Sequence, residues 1–362
     1  MPGLFDPIAL RSLSVRNRLW IAPMCQYSVF AEDGVPTDWH LVHLGGFAKG
    51  GAGVVFAEAT AVSPEGRISP FDTGIWTDEQ AAAWSRITAF LRSQGAVAGI
   101  QLGHAGRKGS TYPAWGTDER GSVPLEERGW KTVGPTAEPF GEFAAPAALD
   151  DRGIDAVVDD FTSAARRSVS AGFEVVEIHA AHGYLLHQFL SPLVNTRTDA
   201  HGGSLGNRAR LLLRVVESVR AEIGETVLAV RFSATDWADG GWNESETATV
   251  ARWAADAGAD FFDISTGGAV PGVDIPLSPG YQVRFATHVR DTAAVTVSAV
   301  GLITDPVEAD RIVSSGQADV VMVGREALRD PHFALRAAAA LDVPAATPGQ
   351  YLRAPFPAVV PA

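Results

Sequence analysis

Short runs of apolar, often β-branched residues alternate along the chain with longer segments whose apolar residues recur at helical spacing. The short runs predict eight strands, at 19–22, 54–59, 97–102, 175–179, 227–232, 261–265, 295–299 and 320–323. The longer segments predict helices at 39–49, 78–93, 154–171, 207–223, 244–257, 282–291 and 305–314, with a last one after Pro331. Eight strands alternating with eight helices are typical of a closed parallel sheet. The sequence therefore predicts an α/β protein, a (β/α)8 TIM barrel.

A barrel of this kind needs about 250 residues, and the chain has 362. Residues 103–150 follow the third strand, are rich in Gly, Pro and charged residues, and contain Trp115 and Trp130. Such a long, aromatic-containing loop favours a folded lid rather than a linker. Residues 344–362 are proline-rich and lack helical periodicity, which indicates a tail. We expect one domain over 1–362, with a lid-like insertion and a C-terminal tail.

The charge of the chain limits its partners. It has 29 basic and 42 acidic residues and a formal charge of -13, which repels nucleic acids and anionic lipids. No apolar run approaches the roughly 20 residues of a membrane helix, and no basic segment followed by an apolar one opens the chain. We expect a cytoplasmic protein without nucleic-acid or membrane partners. Because Cys25 is the only cysteine, redox chemistry would need a bound organic cofactor.

Glycines follow the last two predicted strands, at Gly301 and Gly324. In a TIM barrel the chemistry lies at the carboxyl ends of the strands, and the loops after strands seven and eight commonly bind phosphate through free backbone N–H groups. Arg325 would add a positive charge there. A single glycine after a strand is often only a turn, but the pair favours a phosphate site.

Arg231 lies near the end of the fifth strand, where a guanidinium needs an anion or another acceptor. The pyrimidine edge of a reduced flavin would provide one, and an ion pair with Glu58 or Glu177 would serve equally well. Gln101 could hydrogen-bond a cofactor carbonyl, and Ala59 offers a small surface on which a flat ring can stack. Both are also ordinary residues at the end of a barrel core.

The fourth strand ends in HAAHGY, which contains His179, His182 and Tyr184. Two imidazoles three residues apart can donate to one substrate oxygen or bind one metal ion. A metal needs a third ligand, and no H-E-x-x-H spacing is present, so we expect no metal. A tyrosine just beyond a donor pair indicates a proton donor. Two alternatives stay open: a metal-dependent lyase or hydrolase, and a non-catalytic flavoprotein that senses redox state through Cys25.

Together, these motifs resemble the old yellow enzyme family, in particular its thermophilic-like bacterial class. The matching segments are LFDPIALRSLSVRNRLWIAPMCQYS, FAEATAVSPEGRISPFDTGIW, IQLGHAGRKG, EIHAAHGYLLHQFLSPLVNTRTDAHGGSLGNRARLLLRVV, VSAVGLI, VMVGREALRDP and QYLR. The resemblance implies bound FMN, NADPH or NADH as reductant, and an NADPH dehydrogenase or ene-reductase activity. The implied substrates are enones, enals, maleimides and nitro compounds with an activated C=C bond. It also implies a homodimer or homotetramer.

The resemblance carries over to individual residues. The cofactor-binding set, including the glycine turns, is Ala22, Pro23, Met24, Cys25, Ala59, Gln101, Arg231, Gly301, Gly324 and Arg325. Cys25 would tune the flavin potential. The substrate would contact Tyr27, His179, His182, Lys108 and Arg353, and Tyr184 would be the proton donor. Arg353 resembles a tail arginine that reaches into a neighbouring subunit's active site.

Overall fold

The structure, a computed structural model, describes residues 1–356 and contains a closed barrel of parallel strands. In chain order the strands are β1 Ile8–Leu10, β2 Leu13–Val15, β3 Leu19–Ile21, β4 Val54–Ala61, β5 Val97–Gly103, β6 Val133–Gly134, β7 Ala147–Ala148, β8 Val175–Ala180, β9 Val227–Ser233, β10 Phe261–Ser265, β11 Val297–Ala299 and β12 Val320–Val323. The barrel closes in the order β3, β4, β5, β8, β9, β10, β11, β12. The predicted TIM barrel is confirmed.

Helices follow the barrel strands and cover their outer face. They are α1 Asp38–Lys49, α2 Asp78–Ser93, α3 Asp151–Ser170, α4 Leu185–Leu190, α5 Leu205–Ile223, α6 Glu244–Asp256, α7 Val283–Ala293, α8 Pro306–Ser314, α9 Arg325–Arg329 and α10 Phe333–Ala340. No helix within residues 1–356 is both long enough and apolar enough to cross a membrane.

The barrel strands are buried on both faces, which explains their nearly continuous apolar sequences. Every residue of β4, β5, β8 and β9 is buried. The helices bury one face only: α3, for example, turns Ile154, Phe161 and Ala165 inward. Its first turn is capped by Asp150, whose side chain accepts a hydrogen bond from the Gly153 amide.

The amino end of the barrel is closed by the antiparallel hairpin of β1 and β2. Its apolar residues join a cluster inside the barrel that includes Trp20 and Phe261, whose ring centroids are 4.9 Å apart. Apolar side chains therefore fill this end of the barrel. Polar side chains inside the barrel lie toward its carboxyl end, where the chemistry of this fold is expected.

Some predicted boundaries were wrong. The second barrel strand runs on to Ala61 past an irregularity in its pairing between Ala57 and Ala59. The seventh starts at Val297 instead of 295, and the third long helix starts at Asp151 instead of 154. The hairpin of β1 and β2 and the short helix α9 were not predicted, because each is too short to show a period, and the buried helix α4 was not predicted either.

The insertion after β5, residues 103–150, which is the predicted lid, is held by contacts of two arginines. The Arg107 guanidinium donates to the carbonyl oxygens of Glu138 and Pro139 within the insertion and of Ala269 after β10. The Arg67 guanidinium lies 4.9 Å from the ring centroid of Trp130, on the insertion. The insertion is thus fastened on two sides of the barrel mouth.

Candidate active site

The end of β8 brings His179, His182 and Tyr184 together, as the sequence predicts. The ring of His179 lies 5.1 Å from that of His182 and 5.1 Å from that of Tyr184, both in edge-to-face geometry. The backbone turns sharply here, with φ of 58° at His182 and 73° at Gly183. Gly183 is required at its position, because a β carbon would lie 2.0 Å from the Gly268 carbonyl oxygen.

Both histidines are electrically neutral. Burial, and then the positive charge of Arg231, lowers the pKa of His179 and of His182 well below the usual value. The Nδ1 atom of His179 accepts from the Ala181 amide at 3.3 Å, so its proton lies on Nε2. The Nε2 atom of His182 lies 2.8 Å from Ser265 Oγ. The pair can therefore donate hydrogen bonds without carrying charge.

Tyr184 packs against a small apolar cluster of Ala59, Ile68 and Ala105, which Cys25 and Tyr27 from the first barrel strand end also contact. Burial raises the pKa of Tyr184 well above its usual value, and nearby Asp72 raises it further. The phenol is therefore protonated at neutral pH. The ring of Tyr27 lies 4.8 Å from that of Trp115, so the lid reaches this part of the site.

The Cys25 thiol is also protonated. Burial raises the pKa of Cys25 well above 9, with smaller contributions from Asp72 and Glu58. Because the thiolate is the reactive form of cysteine, this environment makes Cys25 a poor nucleophile. The finding counts against a redox sensor that works through this thiol.

Arg231 forms a buried ion pair, although with a different partner from those considered above. Its Nε atom lies 2.7 Å from Oδ2 of Asp263, directly opposite on the neighbouring strand β10. Glu58 instead contacts His40, at 3.1 Å, and accepts from the Gln26 amide. The proposed pairing of Arg231 with Glu58 was therefore wrong, since Glu58 faces the outer layer at the bulge of β4.

Gln101 and Glu177 lie opposite each other on β5 and β8. The Nε2 atom of Gln101 donates to Glu177 Oε1 at 2.8 Å, so the amide oxygen of Gln101 remains available to a ligand. Burial and the Asp263 charge raise the pKa of Glu177 to about 8, whereas Arg231 lowers it. Glu177 is therefore mainly protonated, and Asp263 is the counter-ion of Arg231.

A cavity of about 180 Å³ lies at the carboxyl ends of β11 and β12. Its lining includes Arg231, Gln282, Gly301, Gly324 and Arg325. Gly301 has a φ of 123°, and a β carbon there would lie 2.8 Å from Gln282 Nε2, so only glycine leaves this space open. The guanidinium groups of Arg231 and Arg325 and the two glycines line the same cavity. The cavity therefore fits a phosphate ester.

The other predicted residues surround this centre. Ala22 and Ala59 are buried, and Pro23, Met24 and Cys25 are partly buried; the sulfur of Met24 lies 3.4 Å from where a β carbon of Gly324 would be. Together they supply the small, apolar surface that a flat ring needs.

Lys108 and Arg353 lie in different surroundings. The Nζ atom of Lys108 donates to the carbonyl oxygens of His182, at 2.7 Å, and Gly268, at 2.9 Å. Burial, followed by the charge of Arg107, lowers the pKa of Lys108 to about 8. Arg353 is exposed in the tail, and its predicted role toward a neighbouring subunit stays a prediction.

Three polar residues of the site were not found from the sequence: Asp263, Ser265 and Gln282. Ser265 ends β10, and its hydroxyl lies 3.2 Å from Gln282 Oε1 and 2.8 Å from His182 Nε2, which links both residues to His182. The polar end of the sixth strand was an available signal. Within the described residues, no group of three His, Cys, Asp or Glu side chains is arranged to hold a metal ion.

Comparisons with known proteins agree with this geometry. The sequence profile of the NADH:flavin oxidoreductase / NADH oxidase family matches residues 3–343. An NADPH dehydrogenase of Listeria innocua serovar 6a is 44% identical over 355 residues, which cover 98% of this chain and 99% of that protein.

Two solved structures have the same architecture. The match to morphinone reductase has a TM-score of 0.79 at 29% identity, and it covers 95% of this chain and 91% of the morphinone reductase chain. The match to the old yellow enzyme homologue from Zymomonas mobilis has a TM-score of 0.76 at 29% identity, and it covers 99% of this chain and 95% of that homologue's chain. The chain therefore belongs to the NADH:flavin oxidoreductase / NADH oxidase family and is an FMN-dependent NADPH oxidoreductase of the old yellow enzyme type.

Proposed function

We propose that the protein is an ene-reductase, which uses NADPH or NADH to reduce the activated C=C bond of α,β-unsaturated carbonyl or nitro compounds. One observation carries the proposal: two neutral imidazoles and a protonated phenol meet at the end of β8. Enones, enals, maleimides and nitroalkenes share the matching chemistry, an oxygen acceptor conjugated to the double bond. We propose such compounds as the substrate class.

The residues present fit FMN. The cavity with Gly301, Gly324 and Arg325 would hold its phosphate, and Ala22, Pro23, Met24, Cys25 and Ala59 would line its ring. Gln101 and Arg231 would contact its polar edge, with Gln101 offering an amide oxygen. When bound, FMN would supply the hydride chemistry, from the nicotinamide to the β carbon of the substrate.

The side chains of the site would stabilise the developing negative charge and supply the proton. His179 and His182 donate hydrogen bonds to the substrate oxygen and stabilise the negative charge that develops there. Arg231 stabilises negative charge at the cofactor edge. Tyr184 donates its proton to the α carbon, which requires a phenol that is still protonated when the hydride has been transferred. Tyr27 and Lys108 would contact the substrate from either side.

An anaerobic titration tests the proposal. NADPH should bleach the visible flavin band, and 2-cyclohexenone added afterwards should restore it. Tyr184→Phe should leave bleaching by NADPH nearly unchanged and slow recovery about 10²–10⁴-fold, because a general acid contributes that much. Tyr112→Phe is the matched control, since it also removes a tyrosine hydroxyl, here one that makes an exposed hydrogen bond to Glu127. Bleaching without recovery in the wild type, or equal slowing of both steps in Tyr184→Phe, would contradict the proposal.

We further propose a homodimer or homotetramer in which Arg353 enters a neighbouring subunit's site. Tyr184→Phe and Arg353→Ala subunits are each expected to be slow alone. If the site is shared, mixed oligomers contain one active site that carries neither substitution, so mixing should restore part of the activity. The absence of any restoration in verified mixed oligomers would exclude a shared site.

A further inference from the structure

The loop between the histidine pair and Tyr184 has a backbone that needs external support. His182 lies in the left-handed region with a φ of 58°, which side-chain-bearing residues rarely adopt. Gly183 follows with a φ of 73° and is pressed against the Gly268 carbonyl. A loop of this shape persists only when its surroundings hold it.

Four side chains hold all four backbone polar groups of His182 and Gly183. The contacts are His182 N to Ser233 Oγ at 2.9 Å, Lys108 Nζ to His182 O at 2.7 Å, Gly183 N to His187 Nδ1 at 2.9 Å, and Gln188 Nε2 to Gly183 O at 2.8 Å. His187, which is fully buried in α4, accepts the hydrogen bond from the amide of Gly183, the residue immediately before Tyr184.

The tautomer of His187 is set by Asp236, which is also fully buried. One carboxylate oxygen of Asp236 accepts from the Ser191 hydroxyl at 2.6 Å and from the Trp242 amide at 2.9 Å. The other oxygen lies 3.0 Å from His187 Nε2. Because a carboxylate can only accept, the His187 proton lies on Nε2, and Nδ1 is left free to accept from Gly183.

We propose that His187 and Asp236 are positioning residues for proton transfer: Asp236 fixes the imidazole tautomer that holds the Gly183 amide, and this contact keeps Tyr184 aimed at the substrate. The inference rests on the proposed role of Tyr184. Neither residue contacts the substrate, and both act through the loop. Displacing a reacting group by about 1 Å can slow a reaction by about 10²-fold.

The decisive variant is Asp236→Asn, which keeps the size of the side chain. The Trp242 amide must still donate, so the oxygen of the introduced carboxamide takes that position and its NH2 group faces His187. His187 must then carry its proton on Nδ1. This N–H faces the Gly183 N–H, so the hydrogen bond between the two residues is lost. His187→Leu is the second variant, because leucine has a similar volume but cannot accept a hydrogen bond from the Gly183 amide.

The readout compares two oxidants of the same dithionite-reduced holoenzyme. Asp236→Asn and His187→Leu should each slow reoxidation by 2-cyclohexenone about 10–100-fold, whereas reoxidation by O₂, which needs no proton from Tyr184, should change less than about twofold. Thr88→Val is the matched control, because it removes another buried hydrogen bond, from Thr88 Oγ1 in α2 to the carbonyl oxygen of Ala171 at the end of α3. It should leave the ratio of the two rates unchanged.

A structural readout accompanies the kinetics. Hydrogen–deuterium exchange of the peptide containing 181–186 should accelerate at least tenfold in Asp236→Asn and remain as in the wild type in Thr88→Val. Unchanged enone reoxidation, or equal slowing with both oxidants, would overturn the positioning role. If Tyr184→Phe itself leaves enone reoxidation unchanged, the proposed function fails instead; if Tyr184→Phe is slow and both positioning variants are fast, only this inference fails.

Discussion

The buried ion pair of Arg231 and Asp263 gives a stability prediction that also tests the role of Glu177. The exposed fraction is 7% for Arg231 and 0% for Asp263, and the Nε–Oδ2 distance is 2.7 Å. Removing one partner of such a pair costs about 3–5 kcal/mol, because the remaining charge has no counter-charge. Asp263→Asn removes the charge and keeps the shape, and its oxygen can still accept from the Ser298 hydroxyl, now 2.7 Å from Oδ1.

Glu177 changes the expected magnitude. The Asp263 charge helps to raise the pKa of Glu177 to about 8, so the carboxyl is mostly protonated at pH 7. Without that charge the pKa of Glu177 should fall, and its carboxylate can then replace Asp263 beside Arg231. We therefore expect Asp263→Asn to cost less than about 3 kcal/mol alone, and the double variant with Glu177→Gln to cost the full 3–5 kcal/mol, roughly.

Urea unfolding of the FMN-free chain at pH 7, followed by tryptophan fluorescence, measures the complete double-mutant cycle. The pH dependence gives a second check. Because the folded pKa of Glu177 lies above its usual 4.5, the folded state binds more protons, and its stability should fall as pH rises from about 4.5 to about 8. Glu177→Gln should remove that component. A full-size loss in Asp263→Asn with no further loss in the double variant would refute the reasoning.

Three further predictions concern the loop, the thiol and the lid. Gly183→Ala should slow enone reoxidation far more than O₂ reoxidation, because its β carbon would lie 2.0 Å from a carbonyl oxygen after β10; Gly206→Ala, which meets nothing within 4 Å, is the control. Cys25 should react with iodoacetamide at pH 8 at least tenfold more slowly than free cysteine, since its pKa is raised well above 9; mass spectrometry measures this, and an equal rate would disprove the burial. Trp130→Ala should speed proteolysis within the lid, since it removes the contact with Arg67, and an unchanged cleavage rate would count against that anchor.

The sequence predicted the barrel because its strands are buried on both faces and its helices on one. It missed α4 because all six of its residues are buried, which removes the amphipathic contrast that a periodic pattern needs. It identified Arg231 as a buried cation but not its partner. Only the register between β9 and β10 places Asp263 opposite Arg231, and register depends on how the barrel closes.

The fixed charge of Arg231 separates two chemical roles within the proposed reaction. Burial and this guanidinium together keep His179 and His182 neutral by lowering the pKa of each. A neutral imidazole polarises the substrate oxygen through a hydrogen bond and holds its proton more tightly than an imidazolium would. Tyr184, whose pKa is raised, then remains the group that supplies a proton to carbon. A cationic histidine at the same place would instead be a stronger acid next to the substrate oxygen, so the buried arginine favours protonation of the carbon by the tyrosine.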